Sequence, residues 1–393
     1  MWPWEVKAVL NLRIIVNSKP KCLYLRNSIK RVRKSALHSM AFSSPQVPLF
    51  RAAIDAVYGP LPSTISDAAA WIPPEKAGGF KGRYLWTDAF GVINFLTLHR
   101  TTRDETYLIL AKNLAKAVHD IQGRTRDGKS KLPGASDENP LGGGLRIGKQ
   151  EDSGTDGDGQ YHHYLTLWMF ALNRLSIATH DPLYNRQAIQ LAKAIQPRFF
   201  IDKDTNHPRM VWKISTDMSR TLVESQGNLD PIDGYVTMRI LQASAVEGDP
   251  RLDEEINDYK KVMERKGKHF VSDDMLDLGM SAWSSHWLAD REKWADELQK
   301  RSLKQLDKVL ASGARVLGGY RLAFRDFGAC LGVGCCEVVN QSLKTHTDLL
   351  VKEWELAFAQ TPTELRPITH VMYAAALIPG AFKKGWMGPE PDL

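Results

Sequence analysis

The sequence predicts an all-α fold in which helical hairpins close into a toroid around a polar cavity. One observation is a recurring phrase: WTDAF at residues 86–90 and PIDGY at residues 231–235 each open an apolar helix. In both phrases an aspartate, Asp88 or Asp233, stands sixteen positions before a second aspartate that can begin the next helix. The other observation is that strongly apolar helices alternate with amphipathic ones. Repeated helix pairs stack into a continuous core. Acidic residues at the N-terminal ends of the inner helices would then face an enclosed cavity.

Each helix pair consists of a buried inner helix followed by an outer helix that faces water. Residues 88–100 are apolar nearly all round, whereas 104–122 carry a single apolar stripe, and the contrast recurs in 161–178 and 182–196. The remaining predicted pairs are 233–247 with 250–266, 275–289 with 291–311, 323–340 with 346–360, and 368–379 with the first helix at 48–58. Six pairs would close a ring, so the predicted fold class is an (α/α)6 toroid.

The segments between the helices are also predictable. Asp181 and Asp249, each followed by a proline, are the expected starts of outer helices, because aspartate accepts unpaired amide N–H groups and proline suits the first turn. Between the first and second hairpins, residues 123–159 are rich in Gly, Asp, Ser and Pro, which predicts a long polar loop that is a lid or an insert. Residues 197–230 are expected to form a short β-hairpin or a cavity wall.

The positive charge of the chain is concentrated at its N-terminal end. The formal net charge is +7, but residues 1–39 carry nine Lys or Arg against one acid, which leaves the remainder at −1. This distribution argues against a nucleic-acid-binding surface on the folded part. Residues 1–40 are therefore predicted to be a basic, disordered extension, with a mitochondrial-type presequence as the alternative. A single toroid domain is expected at 41–393.

The remaining composition predicts a cytoplasmic protein. No apolar run reaches membrane-spanning length. The basic segment at 1–40 also lacks the uninterrupted apolar region of a secretory signal. Four cysteines without a regular spacing fit a reducing compartment, and three of them are expected to be small packing residues rather than metal ligands: Cys330, Cys335 and Cys336. We expect no membrane partner, no metal and no cofactor.

With these phrases placed, the chain resembles the six-hairpin glycosidase superfamily, whose members are (α/α)6 toroids. The resemblance rests on GRYLWTDAFGV at 82–92, LDPIDGYV at 229–236 and the architecture of roughly residues 45–390. The superfamily includes unsaturated glucuronyl hydrolases, in which an aspartate at the start of an inner helix is general acid and base, and N-acylglucosamine epimerases, which use histidines. The resemblance implies a carbohydrate-type cavity at the N-terminal ends of the inner helices without identifying a subfamily.

Asp88 and Asp233 are the candidate catalytic residues. Glycoside cleavage needs one carboxylic acid to protonate the leaving oxygen and one carboxylate to activate water or to attack. Placed two hairpins apart in a six-fold ring, both side chains would project toward the central cavity. The alternative is that each aspartate only caps its helix, which is a frequent use of this residue at a helix N-terminus.

The second inner helix begins with a crowded polar segment that contains Asp158, His162 and His163. The histidine pair falls near the repeat position of Asp88. One imidazole is expected to face the cavity, where it could donate to a sugar hydroxyl or carry a proton near neutral pH. An ordinary polar helix start is the alternative. Adjacent histidines point to different faces of a helix, which argues against a metal site.

Further substrate-binding residues are predicted from aromatic and polar side chains near the inner-helix starts. Trp86 and Trp212 stand where cavity walls are expected, and flat aromatic rings stack well on sugars. The other candidates on the same rim are Tyr235, Trp283, His286 and Asp326. For these, core packing or buried ion pairing is the alternative.

The sequence leaves three functions open. The first is a carbohydrate-active, glycoside hydrolase-like enzyme that acts on a small intracellular oligosaccharide or uronide by carboxylate acid–base catalysis. The second is an isomerase, lyase or cyclase that uses the same cavity for a non-sugar metabolite, because a fold does not determine a function. The third is a binding protein that keeps the toroid without a reaction.

Overall fold

Among the residues that the structure describes, six inner helices form a closed ring and an outer helix packs against each of them. The computed structural model describes residues 45–393 except 155, 204, 206, 228, 266, 271 and 312–320. The predicted extension at 1–40 lies outside these residues. The helices are α1 Gln46–Tyr58, α2 Ile65–Ala70, α3 Leu85–Thr102, α4 Glu105–Gln122, α5 His162–Thr179, α6 Pro182–Phe199, α7 Asp230–Ala243, α8 Asp253–Arg265, α9 Met275–His286, α10 Lys293–Ala311, α11 Ala323–Cys335, α12 Gln341–Ala357 and α13 Arg366–Leu377.

The inner ring consists of α3, α5, α7, α9, α11 and α13. Each of these helices contacts the next, and α13 contacts α3, which closes the ring. The outer helices α4, α6, α8, α10 and α12 each pack against the inner helix that precedes them, and α1 packs against α13. The predicted all-α (α/α)6 toroid is therefore confirmed, including the use of the first helix as the outer partner of the last.

Burial distinguishes the two rings, as the sequence pattern predicts. Every residue from Leu85 to Leu98 of α3 is buried, whereas α4 buries one face. Since a fully buried Leu or Phe contributes roughly 1.5–3 kcal/mol, the inner ring is the main source of stability. Helices α9 and α11 approach each other closely, because a Cβ on Gly279 would lie 2.2 Å from the carbonyl oxygen of Gly328. Here the missing side chain allows two inner helices to touch through their backbones.

The predicted start of α6 is confirmed, and that of α8 is corrected. The carboxylate of Asp181 accepts a backbone N–H from the first turn of α6 at 2.9 Å. Helix α8 begins at Asp253 rather than directly after Asp249. The Asp249 carboxylate instead accepts the N–H of Val246 at 2.9 Å and pairs with Arg186 at 2.6 Å, so it holds the preceding turn.

One short strand precedes α5, and four more lie between α6 and α7. They are β1 Gln160–Tyr161, β2 Phe200–Ile201, β3 Arg209–Met210, β4 Lys213–Ile214 and β5 Thr221–Val223. Strands β2 and β3 form one antiparallel pair, while β1, β4 and β5 form a second antiparallel sheet in the order β1-β4-β5. The predicted irregular segment at 197–230 therefore contains hairpins, as expected. None of the described helices is both long and apolar enough to span a bilayer.

Part of the long loop at 123–159 is packed into the molecule, because residues 141–148 and 157–159 are buried, whereas 133–134, 136–138 and 150–154 are exposed. Leu141, Leu145 and Ile147 are fully buried. Asp158, which we expected in the cleft, is buried within the loop, where it accepts three backbone N–H groups and pairs with two arginines at 2.7 and 3.0 Å. The prediction of a substrate contact for Asp158 is therefore replaced by a role in holding the loop.

Candidate active site

The N-terminal ends of the inner helices surround a cleft with two adjoining parts. The main cavity has a volume of about 450 Å³, and a side cavity has a volume of about 520 Å³. Both are lined by Trp86, His163, Leu276 and Arg325, so the two parts are continuous. Volumes of this size are typical of small-molecule sites. The cleft lies where the resemblance to six-hairpin glycosidases led us to expect it.

Part of the predicted site lines the main cavity, namely Trp86, His163, Trp212, Asp233 and Trp283. The indole N–H groups of the three tryptophans are engaged within the protein. Trp86 donates to a methionine sulfur at 3.4 Å, Trp212 to a serine hydroxyl at 3.0 Å, and Trp283 to a backbone carbonyl at 3.0 Å. Since these N–H groups are already bonded, the rings offer their apolar surfaces to a ligand.

Asp233 is the fourth residue of α7 and presents its carboxyl group to the main cavity. The Ser284 hydroxyl on α9 donates to its Oδ1 at 2.6 Å. Burial raises the pKa of Asp233 to about 8, and the nearby carboxylates Asp230 and Asp277 act in the same direction. The group is therefore protonated at neutral pH and can donate a proton.

Asp230 also lines the main cavity, and the sequence analysis did not select it. It begins α7, one turn before Asp233, and its Oδ1 lies 3.1 Å from Nδ1 of His162. The other ring nitrogen of His162 lies 2.7 Å from the Tyr259 hydroxyl. Burial acts to raise the pKa of Asp230, but the neighbouring imidazoles of His162 and His163 outweigh it and hold the pKa below its usual value. Asp230 is therefore ionised at neutral pH.

His163 lines both parts of the cleft. Its ring centroid lies 5.7 Å from that of Trp86, and its Nδ1 lies 3.9 Å from Oδ1 of Asp230. Burial lowers the pKa of His163 to about 4 despite the opposing effect of Asp230. The imidazole is therefore neutral near pH 7 and able to accept a proton.

Two further charged residues complete the main cavity. Asp277 on α9 accepts a hydrogen bond from the Ser272 hydroxyl at 3.0 Å, and burial raises its pKa. Arg325 on α11 is paired with Asp274, the residue that caps α9. The only sequence signal for Asp230 and Asp277 is an acid in the first turn of an inner helix, the same signal that selected Asp233.

Asp88 does not line the cleft, so the expectation that it projects into the central cavity is wrong. Its carboxylate is fully buried between α3 and α1, where the Tyr58 hydroxyl donates to it at 3.0 Å and the Arg83 guanidinium lies 3.5 Å away. Burial raises the pKa of Asp88 to about 6. It does not cap α3 either, because the residue at that position is Tyr84 and no side chain bonds there.

The other predicted residues outside the cleft face neighbouring helices instead. His162 is buried behind Asp230. The Tyr235 hydroxyl lies within an arginine–glutamate pair, at 2.6 and 3.2 Å. His286, at the C-terminal end of α9, accepts a backbone N–H at 3.0 Å, and burial lowers its pKa to about 3. Asp326 accepts the indole N–H of a tryptophan on α12 at 2.8 Å. A position early in a helix does not determine which side of the ring its side chain faces.

The part of the chain that the structure describes contains no group of three or more His, Cys, Asp or Glu side chains arranged to hold a metal ion. Three of the cysteines, Cys330, Cys335 and Cys336, are buried. Burial raises the pKa of Cys336 to about 12, so this thiol is not a ready ligand or nucleophile.

Comparison with known proteins gives a similarity to a solved structure. No protein-family model matches the chain, and no curated protein matches its sequence. Among solved structures, the chain is similar to cellobiose 2-epimerase from Spirochaeta thermophila DSM 6192, with 11% sequence identity and a TM-score of 0.47. The match covers 85% of this chain and 99% of the other. The ring architecture follows from the helix contacts of this chain itself.

Proposed function

We propose that this chain is a glycoside hydrolase-like enzyme that cleaves a short oligosaccharide in the cleft, with Asp233 as general acid and Asp230 as the second carboxylate. The two residues are three positions apart on α7, a spacing that places side chains on the same face of a helix with Cβ atoms about 5–6 Å apart. Both line the main cavity. This geometry puts a proton donor and a carboxylate beside one bound substrate.

The observation that carries the proposal is the opposite perturbation of the two carboxyl groups. Burial raises the pKa of Asp233 to about 8, whereas the imidazoles hold that of Asp230 below its usual value. Adjacent carboxyl groups whose pKa values are driven apart are the pattern of an acid paired with a base. Asp233 would protonate the glycosidic oxygen as the C–O bond breaks. Asp230 would take a proton from the attacking water or attack the anomeric carbon itself.

The aromatic walls support a sugar as the substrate. Trp86, Trp212 and Trp283 line the main cavity, and their N–H groups are occupied, so their contact with a ligand is through ring surface. Sugar rings have apolar C–H faces that pack against such surfaces. The side cavity gives room for the part of the substrate on the other side of the scissile bond.

A second candidate, sugar isomerisation or epimerisation, is supported by His163. Its imidazole is held neutral in the cleft and could remove a proton from the carbon beside a sugar carbonyl, while Asp233 protonates the carbonyl oxygen. This reaction would use the same cavity and the same acid, but a different base.

An isotope experiment distinguishes the two reactions. The chain is incubated with a panel of disaccharides in H₂¹⁸O and in D₂O, and products are followed by mass spectrometry. Hydrolysis would produce two monosaccharides with ¹⁸O at one new hydroxyl group, and Asp230→Asn would stop it. Isomerisation or epimerisation would leave the mass unchanged in water but introduce deuterium at carbon, and His163→Asn would stop it. A chain that alters none of the sugars in either solvent would contradict both.

Asp233→Asn and Asp88→Asn form the matched test of the acid. Both aspartates are the fourth residue of an inner helix, both are buried, and in both burial raises the pKa. Only Asp233 lines the cleft. Loss of a general acid costs roughly 10²–10⁴-fold in rate. The turnover rate of Asp233→Asn should therefore fall by that factor, while Asp88→Asn should turn over at close to the wild-type rate.

A further inference from the structure

The lining of the cleft is predominantly acidic. Its carboxyl groups are Asp230, Asp233 and Asp277 in the main cavity and Glu151, Asp156 and Glu364 in the side cavity. The Lys and Arg side chains among the described lining residues are Arg325 and Lys149. Arg325 is paired with Asp274, and Lys149 lies 2.6 Å from Asp156. Both cations are thus already engaged, which disfavours a substrate with a carboxylate of its own, such as a uronide.

The positive N-terminal ends of the helices around the cleft do not offset the excess of acidic side chains in its lining. A helix N-terminus carries about half a positive charge, and its effect falls off within the first turn. On α7 and α9 that first turn is occupied by the carboxyl groups of Asp230, Asp233 and Asp277. Asp233 is protonated at neutral pH, so the negative charge in the main cavity comes from Asp230 and Asp277.

Among the described residues, no Lys or Arg side chain forms an ion pair with Asp230 or Asp277. Asp277 is half-buried and accepts the Ser272 hydroxyl. Asp230 is 4% exposed, and its Oδ1 accepts no hydrogen bond, although Nδ1 of the His162 imidazole lies 3.1 Å away. A carboxylate removed from water without a cation is costly, and a ligand cation would offset that cost. The tryptophan faces in the same cavity would add cation–π attraction.

We infer that the substrate is an amino sugar glycoside, whose ammonium group would be bound by Asp230 and Asp277 in the main cavity. The inference rests on the proposed function, since it names the class of sugar that the same site takes. It also reverses the expectation of a uronide. An N-acetylated sugar of the same size lacks the charge and would lose this contact, while a uronide would meet repulsion from the same carboxylates.

The test compares ligands of matched size and different charge. Binding is measured by calorimetry at pH 6.5 in the full chain carrying Asp233→Asn, so that the ligand is not consumed. The probes are the β-1,4 disaccharide of glucosamine, its diacetylated form, cellobiose, and a disaccharide containing glucuronic acid. We expect the glucosamine disaccharide to bind about 10-fold or more tightly than the neutral probes, and the uronide to bind most weakly. Added salt should weaken only the glucosamine disaccharide.

Asp277→Asn should abolish this preference, and Asp273→Asn is the matched control. Asp273 is exposed, lies outside both cavities and contacts Gln305. The control should keep the preference unchanged. Equal binding of charged and neutral probes, tighter binding of the uronide, or a preference that survives Asp277→Asn would each overturn the inference. Turnover of a neutral disaccharide without any preference for an amine would leave the proposed function standing, whereas binding of none of the probes would remove both.

Discussion

Replacing Asp233 by Asn should make the protein more stable at neutral pH and inactive at the same time. The side chain is 7% exposed, and its Oδ1 accepts the Ser284 hydroxyl at 2.6 Å. Asparagine has the same shape and can accept the same hydrogen bond, so packing is conserved. The substitution removes a carboxyl group that is protonated in the folded protein at neutral pH but ionised in the unfolded chain.

The size of the effect follows from the pKa of Asp233, which burial raises from 3.8 to about 8. A carboxyl whose pKa is raised by folding favours the native state fully below its unfolded pKa, and this contribution is lost as pH rises toward the folded pKa. Since a tenfold change in proton affinity is worth about 1.4 kcal/mol, the loss by pH 7 is about 4 kcal/mol. Asp233→Asn removes it, so the variant should gain up to about 4 kcal/mol at pH 7 and little near pH 4.

Guanidinium unfolding at pH 4 and pH 7 measures this difference, and Asp88→Asn is the internal comparison. Burial raises the pKa of Asp88 to about 6, so between pH 4 and pH 7 the free energy of unfolding of Asp88→Asn should change by about 3 kcal/mol in its favour relative to the wild type. The change with pH is compared, because Asp88→Asn also leaves the buried Arg83 guanidinium without its carboxylate. Turnover then separates the pair, because only Asp233 lines the cleft. If the free energies of unfolding of Asp233→Asn and the wild type differ equally at both pH values, Asp233 is not held protonated and its assignment as general acid is refuted.

Two other substitutions test the surroundings of the site. Asp158→Asn leaves the buried Arg146 guanidinium without its carboxylate and removes one of the two carboxylates that pair with the partly exposed Arg126, so it should destabilise the fold by about 3–5 kcal/mol. The loss would be seen as a lower midpoint of unfolding in guanidinium and faster proteolysis within 123–159. An unchanged midpoint would contradict the role of Asp158 as the anchor of the loop. Tyr259→Phe removes the hydroxyl that lies 2.7 Å from His162 and leaves the tautomer of His162 free. The imidazole should then lower the pKa of Asp230 less strongly, so the acidic limb of the pH–rate profile should move to higher pH. A profile that only falls in height would indicate a purely structural contact.

The ring could be predicted from sequence because its signals are local. An inner helix differs from an outer one in how many of its faces are apolar, and that difference can be read within a single helix. The starts of the helices are harder to predict from the sequence, as the two Asp-Pro pairs show. Asp181 caps α6 as expected, but Asp249 is engaged by Arg186 and Val246, and α8 begins later. The competing partners come from other segments, which local pattern cannot reveal.

The site was only partly predictable because orientation around a helix depends on its neighbours. Asp88 and Asp233 do occupy the same place in their helices, as the repeat indicates. Tyr58 and Arg83 bind the first away from the cleft, while the second meets Ser284 on the next inner helix. The sequence contains all of these residues, but their contacts exist only after the ring has closed.

Different neighbouring side chains explain how a single turn of α7 can supply both an acid and a base. Asp230 and Asp233 have the same chemistry and nearly the same depth of burial, so desolvation alone would keep both protonated. The difference arises from what lies behind them. Asp230 has the His162 imidazole, positioned by Tyr259, whereas Asp233 has only the weaker hydroxyl donor of Ser284. One carboxyl is ionised and the other is not because the packing of α5 and α8 places an imidazole behind the first position and none behind the second.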